Sequence, residues 1–320
     1  MKTNKNEVLE VNIMPIEKRV QIIQLLVEGN SMRSVERIVG CSINTVTKLL
    51  IEVGQACADY QDKAMRNLNC KRVQCDEIWS FVYAKERNVP DEFKDVFGYG
   101  DVYTWTAIDA DTKLIPSWLV GTRGAASAKL FIDDLASRLA NRVQLTTDGH
   151  KAYLEAVEGA FHGDIDYAML VKLYGNNPKE DQRKYSLSKF KGAVKGVVSG
   201  NPEKEHVSTS FVERQNLTMR MHMRRFTRLT NGFSKKVDNH MNAVSLHFMY
   251  YNFAKIHKTL RVTPAMEAGI SDHVWSIEEI VRLVPEPVAK KRGSYKKTEK
   301  RVDIISEGAT ITSHKKKHFE

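Results

Sequence analysis

The sequence predicts an α/β protein, a mixed sheet flanked by helices, with a helix-turn-helix ahead of it. Three observations lead there. Helical periodicity with capping residues fills positions 15–54, alternating β-branched and aromatic residues begin at Val73, and from Ser127 onward helix-patterned and strand-patterned segments take turns. A chain of 320 residues, 42% of them hydrophobic, can bury a core of one large domain beside a smaller one.

Pro15 can open a helix at its first turn, and Ile16, Val20, Ile23 and Leu26 or Val27 recur at helical spacing up to Gly29 and Asn30. Ser31 or Ser34 caps a second helix carrying Val35, Ile38 and Val39, Gly40 and Cys41 make a turn, and Ser42 caps a third helix from Ile43 to about Glu52. That third helix would present Asn44, Thr45, Thr47 and Lys48 away from Ile43, Val46, Leu49 and Leu50, a polar face suited to a DNA groove. A small dimerisation bundle is the ordinary alternative. Residues 55–72 read as a helical linker. Val73–Tyr83 (VQCDEIWSFVY), Val102–Ile108 and Leu114–Val120 then read as a three-stranded meander, with a turn at Asp109–Thr112. Ser127–Leu139 is an amphipathic helix, Val143–Thr147 a strand and His150–Val157 a helix, which makes an α/β crossover. The Gly- and Lys-rich stretch from about Phe161 to Val207 holds one apolar run, Tyr167–Tyr174, and reads as one strand plus a long insertion. Helix returns from Ser210 to about Arg228 and again over roughly Val237–Lys255. The basic tail 286–320 has no apolar period.

The net charge of +10 and pI of about 9.3 favour a polyanionic partner without saying which. Cys41, Cys57, Cys70 and Cys75 contain no C-x-x-C pair, so a zinc ribbon or dithiol motif is not expected and free thiols are. The start, MKTNKNEVLEVN, has no apolar signal core, and no run of about 18 apolar residues occurs anywhere. The expectation is therefore a cytoplasmic protein without a membrane span.

Three acids stand at chemically useful places. Asp76 is in the first strand, where alternation puts Asp76, Ile78 and Ser80 on one face and Glu77, Trp79 and Phe81 on the other, so that only one of Asp76 and Glu77 is expected to face a site. Asp148 ends the fourth strand in LTTDGH, and strand ends in α/β sheets are where ligand sites collect. Glu213 lies in the first turn of the helix that begins near Ser210. Singly, each has an everyday explanation as a strand-end residue, a cap or a first-turn acid. If the first and fourth strands are neighbours and that helix crosses their ends, the three carboxylates converge. Like charges so placed resist ionisation unless Mg²⁺ or Mn²⁺ balances them. Two such ions roughly 3.5–4 Å apart can activate a water or a DNA 3′-hydroxyl at a phosphodiester. Arg214, Arg220, Arg224, Arg225 and Arg228, followed by Lys235 and Lys236, form a basic run fit for phosphates, and Asn216 and His222 are candidate assistants.

The motifs CDEIWSFV around Asp76, TTDGHKAY around Asp148, VERQNLTMR around Glu213 and YNFAKIHKTLRVTPAMEAGI over Tyr251–Ile270 resemble, in this order, the transposases of the insertion-sequence-one family of bacterial and archaeal mobile elements. The resemblance covers roughly residues 70–280. It implies a ribonuclease-H-like fold and a catalytic triad of Asp76, Asp148 and Glu213 holding Mg²⁺ or Mn²⁺, expected as two ions. It further implies cutting of double-stranded DNA at terminal inverted repeats and joining of the ends to target DNA. Asn216 and Arg220 match accompanying positions of the glutamate helix, and synapsis of two ends implies at least a dimer. Two departures stand out: the stretch between Asp148 and Glu213 is long for the family, and the N-terminal segment lacks the cysteines of the zinc module seen in some relatives. The expected organisation is a helix-turn-helix domain at 1–54, a helical linker at 55–72, a catalytic domain at 73–285 with an insertion at about 155–207, and a tail at 286–320. The rival readings are a helix-turn-helix regulator carrying an inactive transposase-like domain, and a nuclease that cuts without joining.

Overall fold

The computed structural model describes residues 14–175, 189–227 and 230–285. The expected basic tail and Arg228 lie outside the described residues.

Three N-terminal helices occupy the expected segment: α1 (Ile16–Val27), α2 (Met32–Val39) and α3 (Ile43–Ala64). Their ends follow from local chemistry. The Ser31 hydroxyl accepts the Ser34 N–H at 3.1 Å, and the Ser42 hydroxyl accepts that of Asn44 at 3.2 Å. Gly40 closes α2 in the left-handed region at φ 67°. α3 runs unbroken for 22 residues across positions 54 and 55, longer than the expected third helix, and takes in residues 55–64 of the segment read as a helical linker. Gly54 does not stop the helix. It lets the helix α7 (Val237–Met249) approach closely, since a Cβ there would lie 2.6 Å from Asn242 Cβ. The Gly54 carbonyl accepts the Ser245 hydroxyl at 2.7 Å, and Gln61 Nε2 donates to the Ser245 carbonyl at 3.2 Å. Core residues of α1–α3, such as Ile22, Val35, Val46 and Val53, join one buried cluster with those of the sheet, and Ile13–Glu286 is one compact unit.

The sheet has six strands among the described residues: β1 (Arg72–Val82), β2 (Gly100–Asp109), β3 (Trp118–Gly121), β4 (Gln144–Asp148), β5 (Asp166–Gly175) and β6 (Lys189–Ser199), in the order β3-β2-β1-β4-β5-β6. β1 and β2 pair antiparallel, as do β2 and β3, whereas β4 lies parallel to both β1 and β5. The expected meander and crossover are present, and the first and fourth strands are neighbours. The helix α5 (Ala152–Phe161) stands where a helix is expected and the apolar run Tyr167–Tyr174 lies in β5, an inner strand; what is corrected is the rest of the supposed insertion, which supplies the antiparallel strand β6. Lys-Gly-rich β6 is an edge, where charge and glycine discourage further pairing.

Helices cover both faces. On one, α4 (Ala125–Arg138) and α5 pack Phe131 and Tyr153 against Trp105, with ring centroids 6.0 and 5.3 Å apart. On the other, α6 (Ser210–His222) and α7 lie over β1, where the Gln74 side chain accepts the Phe211 N–H at 2.9 Å and the Ser80 hydroxyl meets His240 Nε2 at 3.3 Å. α6 stops at His222, earlier than expected, and Arg224–Phe226 form a separate 3-10 turn. α7 continues as a π-helical segment, Tyr250–Ala254, followed by α8 (Pro264–Glu267) and α9 (Ile277–Arg282). Much of the motif starting at Tyr251 is structural. Asn252 grips Ile115 twice, accepting its N–H at 3.0 Å and donating to its carbonyl at 3.1 Å, so a side-chain amide replaces a strand partner in the turn before β3. No helix among the described residues is long and apolar enough to cross a membrane.

Candidate active site

The parallel ladder between β1 and β4 ends at Cys75 opposite Thr147. The next residues are Asp76 on one strand and Asp148 on the other, so both carboxylates emerge where β4 stops. Glu77 joins them, which corrects the expectation that only one of the adjacent acids can face the site. Alternation does send Glu77 toward α5, and its partner across β1 and β2 is Trp105. The pairing of β1 with β4, however, stops at Cys75 and Thr147, so Asp76 and Glu77 have no paired strand beside them on this side. Asp76, Glu77 and Asp148 each bring an oxygen within 4.8 Å of the other two.

Each carboxylate is oriented by named donors. Asp76 accepts the Glu77 N–H at 2.9 Å on Oδ1 and the Asn216 amide at 2.8 Å on Oδ2. Glu77 accepts Arg123 Nε at 2.8 Å and the Tyr153 hydroxyl at 3.3 Å. Asp148 accepts the His150 N–H at 2.9 Å. Burial raises the pKa of Asp76 to about 7, aided by the charges of Glu77, Asp148 and Glu213 and opposed by the Glu77 N–H. Burial and Asp148 also raise Glu77, against the pull of Arg123.

Asp76 and Asp148 open into a cavity of about 670 Å³ whose lining also includes Glu213, Arg123, Lys151 and Lys172, while Glu77 stays buried behind it. The expected trio therefore shares one cavity, but the tightest three are Asp76, Glu77 and Asp148. Glu213 stands apart from them because the Lys172 ammonium and the Thr209 hydroxyl both engage its Oε1. The donor set suits a hard divalent cation: anionic oxygens converge, and an ionised, buried Asp76 is costly without a balancing positive charge. For Glu213 to join such an ion, the cation must replace the Lys172 ammonium.

The basic run does not form one stripe. Arg214 and Arg224 are exposed, Arg220 is half-buried, and Arg225 turns inward to donate to the Ser234 hydroxyl at 2.8 Å and the Asn239 carbonyl at 3.0 Å. Burial lowers the pKa of Arg225 to about 10. Arg225 is thus corrected from a DNA-facing residue to an internal tie, and Asn216 to a buried partner of Asp76. His222 meets Lys255 Nζ at 2.8 Å through Nε2. On α3, Asn44 and Lys48 are exposed while Thr45 and Thr47 are half-buried, and the Thr47 hydroxyl donates back to the Ile43 carbonyl at 2.8 Å. Alternation sets Glu77 on the face opposite Asp76, and nothing in composition or alternation points to Arg123, which its hydrogen bond to Glu77 reveals.

A scan of protein-family models and a search of curated proteins find no match. Among solved structures, the chain is similar to the Mos1 strand transfer complex at 13% identity over 49% of this chain and 59% of that one, with a TM-score of 0.22. It is also similar to a Mos1 transposase paired-end complex with left transposon end (12%, 49% and 60%, TM-score 0.22). A piggyBac transposase synaptic complex with hairpin DNA aligns over 84% of this chain and 69% of that one at 9% identity, with a TM-score of 0.40. The chain thus spans about 60% of the length of the Mos1 chains it matches.

Proposed function

We propose that the chain is a DNA transposase of the ribonuclease-H-like class, from a bacterial or archaeal insertion element, and that Asp76, Asp148 and Glu213 hold its divalent metal. One observation carries the reading: Asp76 from within β1, Asp148 from the end of the neighbouring parallel strand β4 and a glutamate from the helix α6 line a single cavity that also carries lysines and an arginine. When bound, Mg²⁺ or Mn²⁺, as one ion or two, supplies charge for activating a water or 3′-hydroxyl and for stabilising a leaving oxygen.

The chain's own residues do the rest. Asn216 and the Glu77 N–H fix both oxygens of Asp76, so the carboxylate has no freedom to lose when it takes up a ligand. The His150 N–H does the same for one oxygen of Asp148. Lys151 and Lys172 add positive charge where a phosphodiester would lie, and Lys172 holds Glu213 until then. Helices α1–α3 form the helix-turn-helix that recognises element ends through Asn44 and Lys48, with Arg214 and Arg224 on the backbone of double-stranded DNA. Synapsis of two ends requires at least a dimer.

The deciding experiment incubates the full chain with DNA carrying the inverted repeats that flank its own coding region, with Mg²⁺, with Mn²⁺ and with EDTA. Joined products are expected with either metal. Cuts without joining would assign a nuclease, and binding without reaction a regulator. Asp148→Asn should abolish cutting while end binding persists, because it removes a metal ligand and no DNA contact.

A further inference from the structure

Arg123 sits between β3 and α4 at the rim of the acid-lined cavity, and three contacts fix it. Its Nε donates to Glu77 Oε1 at 2.8 Å, its guanidinium carbon lies 5.6 Å from the centre of the Tyr103 ring, and its own carbonyl meets His150 Nε2 at 3.0 Å. Tyr103 is half-buried on β2 and pairs across the ladder with Trp79. Glu77, whose side chain is only 2% exposed, is itself fixed by the Tyr153 hydroxyl at 3.3 Å. Arg123 remains 51% exposed. It is a pinned cation facing solvent at the mouth of the site.

Glu77 could serve the metal or the arginine, and charge decides between these. An ion on Glu77 would place two positive charges within a few ångströms of the guanidinium, and that repulsion works against both. Among the described residues Asp76 and Asp148 have no cationic hydrogen-bond partner, so they can accept an ion without displacing one. Guanidinium offers five donors in a planar fork, and the Glu77 bond uses Nε alone. The two terminal nitrogens suit two oxygens of a phosphate, and stacking on Tyr103 limits the entropy lost on binding.

We propose that Arg123 binds a backbone phosphate of the DNA strand entering the cavity, and that Glu77 is a positioning residue for Arg123 and not a metal ligand. This rests on the proposed function of the same site. It adds a DNA contact on the β3–α4 side, away from α6, and gives Glu77, buried beside the cavity, a role.

The test has two arms. In the first, the affinity of a labelled DNA duplex is measured across a salt series without divalent metal for the full chain and for Arg123→Gln, Arg123→Lys and Glu77→Gln. Losing one phosphate contact should flatten the slope of log affinity against log salt by about 0.9 in Arg123→Gln. Arg123→Lys should keep the slope, and the double variant Glu77→Gln/Arg123→Gln should lose no more than Arg123→Gln alone. In the second arm, Mn²⁺ affinity is read from the free-ion electron paramagnetic resonance signal. It should change less than twofold in Arg123→Gln and Glu77→Gln and fall at least tenfold in Asp148→Asn. An unchanged slope in Arg123→Gln overturns the phosphate role, and a tenfold loss of Mn²⁺ affinity in Glu77→Gln overturns the positioning role. Arg123 is exposed enough for its variants to fold, so they decide the first arm even if Glu77→Gln does not. Unaltered Mn²⁺ affinity in Asp148→Asn would instead count against the metal site itself, with the Arg123 slope still readable.

Discussion

Removing the charge of Asp76 should stabilise the metal-free protein at alkaline pH, although it disables the proposed site. Burial and three neighbouring acids raise this carboxyl from an ordinary 3.8 to about 7. A difference of about three pK units corresponds to roughly 4 kcal/mol. The sign follows from linkage: with the folded pKa raised, the protonated form stabilises the fold, fully so below about pH 4, and that stabilisation is lost as pH rises through about 7. At pH 8 the metal-free fold therefore holds an unfavourable charge that Asp76→Asn removes. The amide costs one acceptor, since both Asp76 oxygens accept hydrogen bonds. Asn216 can offset this by turning over, because its Oδ1 is buried without a partner and can accept from the new amide.

The net gain is then about 2–4 kcal/mol at pH 8, on the order of 5 °C in melting temperature for a unit of this size. The assay is thermal unfolding in EDTA at pH 5 and pH 8 for both proteins. Asp76→Asn should melt higher at pH 8, and the gap should narrow at pH 5. An equal penalty at both pH values would refute the reasoning, because it would mean that the loss is one of packing and that ionised Asp76 is not under electrostatic cost. Added Mn²⁺ should raise the melting temperature of the unaltered chain more at pH 8 than at pH 6, since binding displaces the Asp76 proton, and should have little effect on the variant.

Gly54→Ala gains up to about 1 kcal/mol of helix propensity but sets a methyl 2.8 Å from Asn242 Cα, and overpacking should leave a net loss of about 2 kcal/mol in urea unfolding. An unchanged midpoint would show that α3 and α7 can separate freely. Arg225→Gln should lower the urea midpoint by about 2–3 kcal/mol of stability while leaving the salt slope of DNA binding alone, because its partners are Ser234 and Asn239. Arg224→Gln, at an exposed position, should do the reverse, and a shallower slope for Arg225→Gln would return that residue to the DNA path.

Local chemistry was legible wherever neighbours in sequence decide the outcome. Ser31, Ser42 and Gly40 cap their helices as their side chains and backbone require, and the alternation in VQCDEIWSFV fixes β1 and its facing residues. What escaped notice depends on partners far along the chain. Gly54 looks like a stop in isolation, yet α7 turns it into a crossing point. The segment KFKGAVKGVVS has too many lysines and glycines to read as a strand, but an edge position tolerates both. Arg225 sits in a basic run and still points inward, because Ser234 and the Asn239 carbonyl offer it acceptors. Asp76, Asp148 and Glu213 could be placed at one end of the sheet from their elements. The ion pair that separates Glu213 from the others could not: Lys172 lies in the run read as a strand, but that the strand pairs beside β4, and so brings the lysine to Glu213, is decided by contacts far along the chain.

The position of β1 between two helical layers explains why the acids are so crowded. Asp76 receives its amide from α6 on one layer, and Glu77 receives its arginine and tyrosine from the other. Where β4 ends, nothing keeps the two sets of ligands apart, and a charge change on one face is felt on the other: Asp148 raises both Asp76 and Glu77. Arg123 neutralises one acid of this group and Lys172 another, leaving Asp76 and Asp148 as the pair without a cationic partner among the described residues. Any cation entering the cavity should meet that pair first. Glu213 then completes the set only after Lys172 lets go, so a Lys172→Gln substitution should tighten Mn²⁺ binding, and weaker binding would mean that the lysine helps to build the site instead of guarding it.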